Sequence, residues 1–211
     1  MRSPIKHVLV IGAGGHAKVV LSALMEAKAD VAGIYDDDPF KLGTEVLGVP
    51  VLGAIGELRS VKGVVGVIGV GDNATRRRIA AQLPGTEWLT VVHPMAFVDE
   101  SASLGLGTVV FAGAVIQPGA RIGRHCIINT GATVDHDCVI GDFCHIAPGC
   151  NLGGAVTLAE GVFMGIGSVA IQNVSVGAWS TVGAGAAVVT YLPDRVVAVG
   201  VPARVRRMLE I

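Results

Sequence analysis

A chain of 211 residues is long enough for one large or two small domains and for a sizeable buried core. Sixteen Lys and Arg against seventeen Asp and Glu leave a net charge of -1, which excludes bulk electrostatic attraction to nucleic acid or an anionic membrane and favours small-molecule partners. Although 51% of the residues are hydrophobic, Gly, Pro or a charge interrupts every apolar run short of the roughly 18 to 20 residues of a membrane span, so the chain reads as cytoplasmic with no membrane insertion.

The N-terminus, MRSPIKHVLVIGAGGHAK, has the basic start and apolar run of a signal peptide. The run is short, however, and continues into His16 and Lys18 without a cleavage-like site, so it is read as a buried first strand. HVLVIG leads through AGGHA into the helical stretch KVVLSALMEAKA. DVAGIYDDD follows as a second strand ending in acids, and GVVGVIGVG as a third, before DNATRRRIAAQL, which has a helix-start signature and a helical body. This β-α-β-α pattern predicts a small parallel sheet, a Rossmann-like domain over residues 1–92.

Gly12-x-Gly14-x-x-Ala17 falls after a strand and before a helix, where a phosphate cradle at a helix N-terminus belongs. Asp36 and Asp37 end the second strand, where an acid can bind a ribose hydroxyl. Alone, this fingerprint points to an NAD-dependent oxidoreductase, but fewer than a hundred residues hold only half of a dinucleotide fold. In GVGDNATR, Asn73 is read as a helix cap, and Arg76 as a source of charge or, with Arg77 and Arg78, as part of a solvated helical face. His93-Pro94 is read as shaping a linker.

From Val98 the period changes to six. VDESAS, LGLGTV, VFAGAV, IQPGAR, IGRHCI, INTGAT, VDHDCV, IGDFCH, IAPGCN, LGGAVT, LAEGVF, MGIGSV, AIQNVS, VGAWST and VGAGAA are fifteen hexads over 98–187 without an insertion. The first position is Val, Leu, Ile or Met except at Ala170, and the fifth is always Ala, Ser, Thr, Cys or Val. An aliphatic residue every six positions with a small one four later suits a three-sided prism of short strands. At eighteen residues per turn this makes five coils, about 24 Å tall at roughly 4.8 Å per coil. An ordinary β-sandwich would instead show alternation with turns at irregular spacing.

Cys126, Cys138, Cys144 and Cys150 lie near His125, His136 and His145, which invites a zinc reading. Each cysteine falls on the small fifth position, inside the prism, and none has C-x-x-C spacing, so they are read as buried structural residues with no metal. Cys126 and Cys144, eighteen apart, are stacked within reach of a disulfide, which a cytosolic location disfavours. His136 is on the third position, outside the prism, with Pro118 and Gly154 one coil away. A histidine there is either a base for transfer at neutral pH, its ring fixed by Asp135 or Asp137, or a solvated polar turn; spacing leaves both open. His125 is left as a surface residue.

The hexad series resembles the left-handed β-helix of the hexapeptide-repeat acyltransferases. NTGATVDHDCVIGDFCHIAPGCNLGG is similar to the bacterial sugar acyltransferases that include bacillosamine N-acetyltransferase, perosamine N-acetyltransferase and sialic acid O-acetyltransferase. GVPARVRRMLEI resembles that family's closing Gly-x-Pro-Ala segment and short terminal helix. The implied fold is α/β plus all-β: the small Rossmann-like domain, then residues 93–211 as a left-handed parallel β-helix of about five coils ending in a short C-terminal helix.

The resemblance also implies roles. His136 is the general base and Asp137 increases its basicity; the backbone N–H of Gly154 meets the thioester carbonyl. His145, Ile166 and Ala184 contact acetyl-coenzyme A (acetyl-CoA). Gly12, Gly14, Gly15, His16, Asp36, Asp37, Gly71 and Asn73 belong to a nucleotide-sugar site, with the Gly14-Gly15-His16 turn at the pyrophosphate. The expected protein is a homotrimer with active sites between subunits. Its expected reaction is acetyl-CoA-dependent N-acetylation of a UDP-, GDP- or dTDP-linked amino-dideoxysugar for glycan precursors. Sugar O-acetylation of the sialic acid type is the alternative, followed by a non-catalytic nucleotide-sugar-binding protein.

Overall fold

A computed structural model describes residues 7–210, so the basic start of the signal-like stretch, residues 1–6, lies outside the described residues. The chain divides into two compact units, one ending at Pro94 and the next beginning at Met95. Among the described residues no helix is long and apolar enough to cross a membrane.

In the first unit, β1 (Val8–Ile11), α1 (Gly15–Glu26) and β2 (Val31–Tyr35) form the first β-α-β pass. They are followed by β3 (Glu45–Val46), β4 (Val49–Gly53), β5 (Val65–Ile68), α2 (Asn73–Gln82) and β6 (Glu87–Trp88). The sheet order is β3-β4-β2-β1-β5-β6, parallel except for the β3–β4 hairpin. Chain order reverses across β1, which has β2 on one side and β5 on the other. In open α/β sheets such a reversal opens a crevice beyond the carboxyl ends of the strands. β1 is nearly continuous Val, Leu and Ile because both its faces are covered: Ala17, Val20, Leu21 and Leu24 of α1 are buried, and Ile11 packs with Ile68, Ile79, Leu83 and Trp88.

The second unit is a β-helix. Two-residue strands recur every six residues from Phe97–Val98 to Ala187–Val188. From Phe97–Val98 to Val169–Ala170, each pairs in parallel with the strand eighteen residues on: Ile127–Ile128 with His145–Ile146, Thr133–Val134 with Asn151–Leu152, Val139–Ile140 with Thr157–Leu158. Three sheet faces therefore meet along three edges, each edge a stack of turns. First-position side chains from Val110 to Val182 fill the interior, and fifth-position residues from Thr108 to Ala186 are buried with them. Each interior Ile or Leu contributes roughly 1.5–3 kcal/mol.

The fourth position has its own rule. Every fourth-position residue from Gly107 to Gly185 has positive φ. Glycine fills most of these corners, and His125, Asp137, Phe143, Ala155, Asn173 and Trp179 occupy the rest. A tight turn with a left-handed third residue is what lets the chain bend between strands of two residues.

The C-terminus departs from expectation. In place of a short helix, Arg204–Met208 forms a strand antiparallel to Val196–Val199. Val196–Val199 pairs with Thr181–Val182 on one side and would otherwise present an open edge on the other. Arginine is a good helix former, but propensity is a weak preference that the waiting backbone partners override.

Candidate active site

The third-position amide of a hexad points out of the turn and is left over by the strand pairing. Side-chain oxygens take it in several coils: Asp142 for Arg124 at 2.7 Å, Asn129 for Thr130 at 2.8 Å, Asp135 for His136 at 2.8 Å and Asp194 for Ala178 at 2.7 Å. At Gly154 the preceding residue is Gly153, which has no side chain to offer, and the Gly154 N–H makes no hydrogen bond among the described residues. Gly154 is nevertheless buried, because the His136 imidazole lies over it. A Cβ built on Gly154 would come within 2.5 Å of His136 Nε2 and 2.6 Å of Cε1.

Asp137 occupies the left-handed corner beside His136 (φ 59°), a conformation that Asp tolerates better than most residues. Its Oδ2 lies 2.8 Å from His136 Nδ1. That contact fixes a proton on Nδ1 and leaves Nε2, the nitrogen facing Gly154, as the basic one. The hydrogen bond to Asp137, then the charge of Asp135, raise the His136 pKa above its ordinary value. Asp135 thus serves the turn through the His136 amide, and Asp137 serves the ring.

His145 is largely buried. Its Nε2 accepts a hydrogen bond from Asn129 Nδ2 at 3.1 Å, and Phe163 meets the ring edge-on at 5.1 Å. Ile166 and Ala184 are exposed and stacked on adjacent coils, with the Gly185 N–H donating to the Ile166 carbonyl at 2.8 Å. These residues do not share an edge with His136. The turn of His136 and Gly154 joins the face of Thr133–Val134 to that of Val139–Ile140; the turn of Ile166 joins the face of Phe163–Met164 to that of Val169–Ala170. One chain brings together His136, Asp137 and Gly154, and separately Ile166 and Ala184.

All four cysteines are buried with free thiols. Cys126 Sγ donates to the Gly141 carbonyl (3.1 Å), Cys138 to Gly153 (3.2 Å) and Cys144 to Ala159 (3.1 Å), while Cys150 meets Ser168 Oγ at 3.4 Å. His125 is not a surface residue: it is buried and stacks on Phe143 with ring centroids 5.1 Å apart. Its left-handed fourth position lays the ring along the turn stack, over Gly107, where a Cβ would come within 2.4 Å of it.

In the first unit, a cavity of about 190 Å³ opens beside Gly12, Asp36, Asp37, Thr75 and Arg78. Gly12 has φ 105° and a Cβ there would meet Val70 Cγ2 at 2.6 Å, so the fold itself requires glycine. Gly14 and Gly15 differ: a Cβ on either would meet nothing within 4 Å, and neither has a left-handed φ. They stand at the start of α1, where the N-cap Gly14 offers no side-chain cap and its carbonyl accepts from the Ala17 N–H at 3.1 Å.

Asp36 is occupied by the fold. Its oxygens accept from the Ala13 N–H (2.6 Å), the Asp38 N–H (2.9 Å) and Lys41 Nζ (3.2 Å). Burial alone would raise its pKa, and these donors outweigh that and hold it low. Asp37 Oδ1 accepts from the Ile55 N–H at 2.9 Å. The two aspartates therefore tie the glycine turn and the β4 exit to the end of β2.

Two expectations on α2 are corrected. Asp72, not Asn73, is the helix cap, accepting from the Thr75 N–H at 2.8 Å. Arg76 is not on a solvated face; it is 1% exposed, donating to the carbonyls of Val70 (3.2 Å) and Gly71 (3.0 Å) and to Asn73 Oδ1 (2.9 Å). It shares a helical face with Ile79 and Leu83, a spacing that could have disclosed its burial. The exposed Arg78 is the one beside the cavity, with Thr75 three residues before it. His16 packs against Gly71, and burial, then the charge of Arg76, lower its pKa to about 4.

Residues 7–83 match the family model of the PglD N-terminal domain, and residues 119–154 that of the bacterial transferase hexapeptide (six repeats). The crystal structure of PerB from Caulobacter crescentus, in complex with CoA and GDP-perosamine, aligns with a TM-score of 0.89 at 41% identity, covering 96% of this chain and 98% of that one. The acetyltransferase domain of PglB from Neisseria gonorrhoeae FA1090, in complex with acetyl coenzyme A, aligns at 0.88 and 37% identity, covering 95% and 99%. UDP-N-acetylbacillosamine N-acetyltransferase of Bacillus subtilis (strain 168) is 43% identical over 115 residues, 51% of this chain and 52% of that protein. This chain thus spans about half the length of that curated relative, and 24% of another that it matches.

Proposed function

The chain belongs to the hexapeptide-repeat sugar N-acetyltransferases that carry a PglD-type N-terminal domain, and from that premise we propose that it transfers the acetyl group of acetyl-CoA to the amine of a nucleotide-linked amino-dideoxysugar. The observation that carries the reading is the pairing of His136 Nε2, backed by Asp137 at Nδ1, with the open amide of Gly154 one coil away. A base and an oxyanion donor are the two groups that acyl transfer needs side by side.

The sugar amine attacks the thioester carbon, forming the C–N bond, and its proton passes to His136 Nε2. Negative charge develops on the carbonyl oxygen, where the Gly154 N–H donates. The C–S bond then breaks, and the proton from His136 leaves with the coenzyme thiol, returning the imidazole to its starting state. Asp137 stabilises the transient imidazolium.

His145, Ile166 and Ala184 take the coenzyme in this reading. Because Ile166 and Ala184 stand on a different edge from His136, a complete site uses the base of one chain and the coenzyme contacts of a neighbour, as a homotrimer of side-by-side prisms provides. In the first unit, Gly14 and Gly15 leave the start of α1 open to close approach by a pyrophosphate. Arg78 offers charge to the nucleotide, while Asp36, Asn73 and Gly71 hold the cradle in shape through the bonds described above. The N-acetyl reading is favoured over O-acetylation by the likeness to UDP-N-acetylbacillosamine N-acetyltransferase of Bacillus subtilis and to perosamine N-acetyltransferase of Caulobacter crescentus, whose names state N-acetyl transfer.

Thiol release from acetyl-CoA across UDP-, GDP- and dTDP-linked 4-amino sugars and free sialic acid tests the proposal. Release with a nucleotide-linked amino sugar supports it, and release with sialic acid alone overturns it.

A further inference from the structure

The Gly154 N–H and the Gly153 carbonyl are two ends of one peptide group. The carbonyl end is held from inside the prism: Cys138 is fully buried, and its Sγ lies 3.2 Å from Gly153 O. No other hydrogen bond reaches that carbonyl among the described residues. We propose that Cys138 is a positioning residue for acyl transfer, its thiol fixing the Gly153–Gly154 peptide so that the amide at the far end stays aimed at the transferring acetyl group. The inference rests on the reading of Gly154 as the oxyanion donor.

The bond belongs to a series. Thr108 Oγ1 donates to Gly123 O at 2.8 Å and Cys126 Sγ to Gly141 O at 3.1 Å, each fifteen residues on, as from Cys138 to Gly153. A polar fifth-position side chain is thus this prism's general means of closing a corner carbonyl. What differs from the Gly123 corner is the other end of the peptide. Behind Gly123 the amide is that of Arg124, which Asp142 occupies at 2.7 Å. Behind Gly153 it is the open amide facing His136. At that corner a structural bond lies in line with the site.

Two physical effects follow. Donation to a carbonyl polarises the peptide and strengthens its N–H as a donor, by about 10–30% per bond in a chain. A peptide pinned at both its flanking strands and its carbonyl also needs no reorientation as charge develops, which is where a preorganised donor gains its effect. Burial pushes the Cys138 thiol pKa up, so the group stays an S–H donor at neutral pH.

The test compares kcat and KM, with acetyl-CoA and the nucleotide-linked 4-amino sugars above, for Cys138→Val, Cys138→Ala, Cys138→Ser and Cys126→Ala. Valine fills the same register position at 156, 162 and 174, so Cys138→Val removes the donor with a side chain this prism already accepts. Cys138→Val and Cys138→Ala are expected to lower kcat about threefold to tenfold with KM little changed. Cys138→Ser is expected to restore kcat, and Cys126→Ala, which loses the same kind of bond at another edge, to leave it unchanged. Unaltered kcat in both donor-free variants, an equal loss in Cys126→Ala, or no recovery with serine overturns the inference while leaving the transfer reading intact. Absence of turnover in the unaltered protein overturns that reading and the inference with it.

Discussion

The imidazole of His136 fills the space that a side chain at residue 154 would need, its Nε2 lying 2.5 Å from where a Cβ on Gly154 would stand. The glycine is not demanded by its backbone, whose φ is outside the left-handed region, but by the ring. Gly154→Ala is therefore expected to fold normally and to swing the exposed imidazole off the amide. Turnover should fall on the order of a hundredfold, the scale of a displaced general base. Thermal unfolding and thiol release on the same preparation check both halves.

Asp137 sets the pH at which the base works. Its hydrogen bond is the larger influence raising the His136 pKa, with the charge of Asp135 second. A raised pKa keeps the ring protonated, and so inactive as a base, to higher pH. Asp137→Asn should move the acidic limb of the kcat/KM profile to lower pH and reduce the plateau, since the freed ring is both a weaker base and less fixed in tautomer. A limb that stays in place would show that Asp137 does not act on His136.

His16 predicts a stability change with pH. Its folded pKa is lowered to about 4, from an unfolded value of about 6.5. Between those values the unfolded chain binds a proton that the folded chain refuses, so stability is full above pH 6.5 and declines as pH falls toward 4. The whole effect is about 3 kcal/mol. Urea unfolding of the unaltered protein and of His16→Gln across that range should show the unaltered protein losing stability relative to the variant as pH drops.

Arg78 tests the first unit. As the exposed cation beside the cavity, Arg78→Ala should raise KM for the nucleotide sugar roughly tenfold, the scale of a hydrogen bond to a charged group, and leave KM for acetyl-CoA unchanged. Equal rises for both substrates would place the nucleotide elsewhere.

These residues also show how far the sequence could be read. The six-residue period carried the β-helix and the inward cysteines, and the eighteen-residue stack placed Gly154 next to His136, because in a prism one index fixes both depth and face. Asp137 could be named as a partner of His136, but not the left-handed corner that brings its carboxylate to Nδ1. α2 was less legible. A polar residue such as Arg76 is buried only when the chain supplies acceptors, here the Val70 and Gly71 carbonyls, which no local pattern announces. Arg204–Met208 was misread for a related reason: its strand depends on an edge contributed by Val196–Val199.

His136→Ala, assayed for thiol release with acetyl-CoA and a nucleotide-linked amino sugar alongside equilibrium binding of the coenzyme, should lose turnover by about a hundredfold to ten-thousandfold while coenzyme affinity is kept. Turnover equal to that of the unaltered protein would contradict the assignment of His136 as the base.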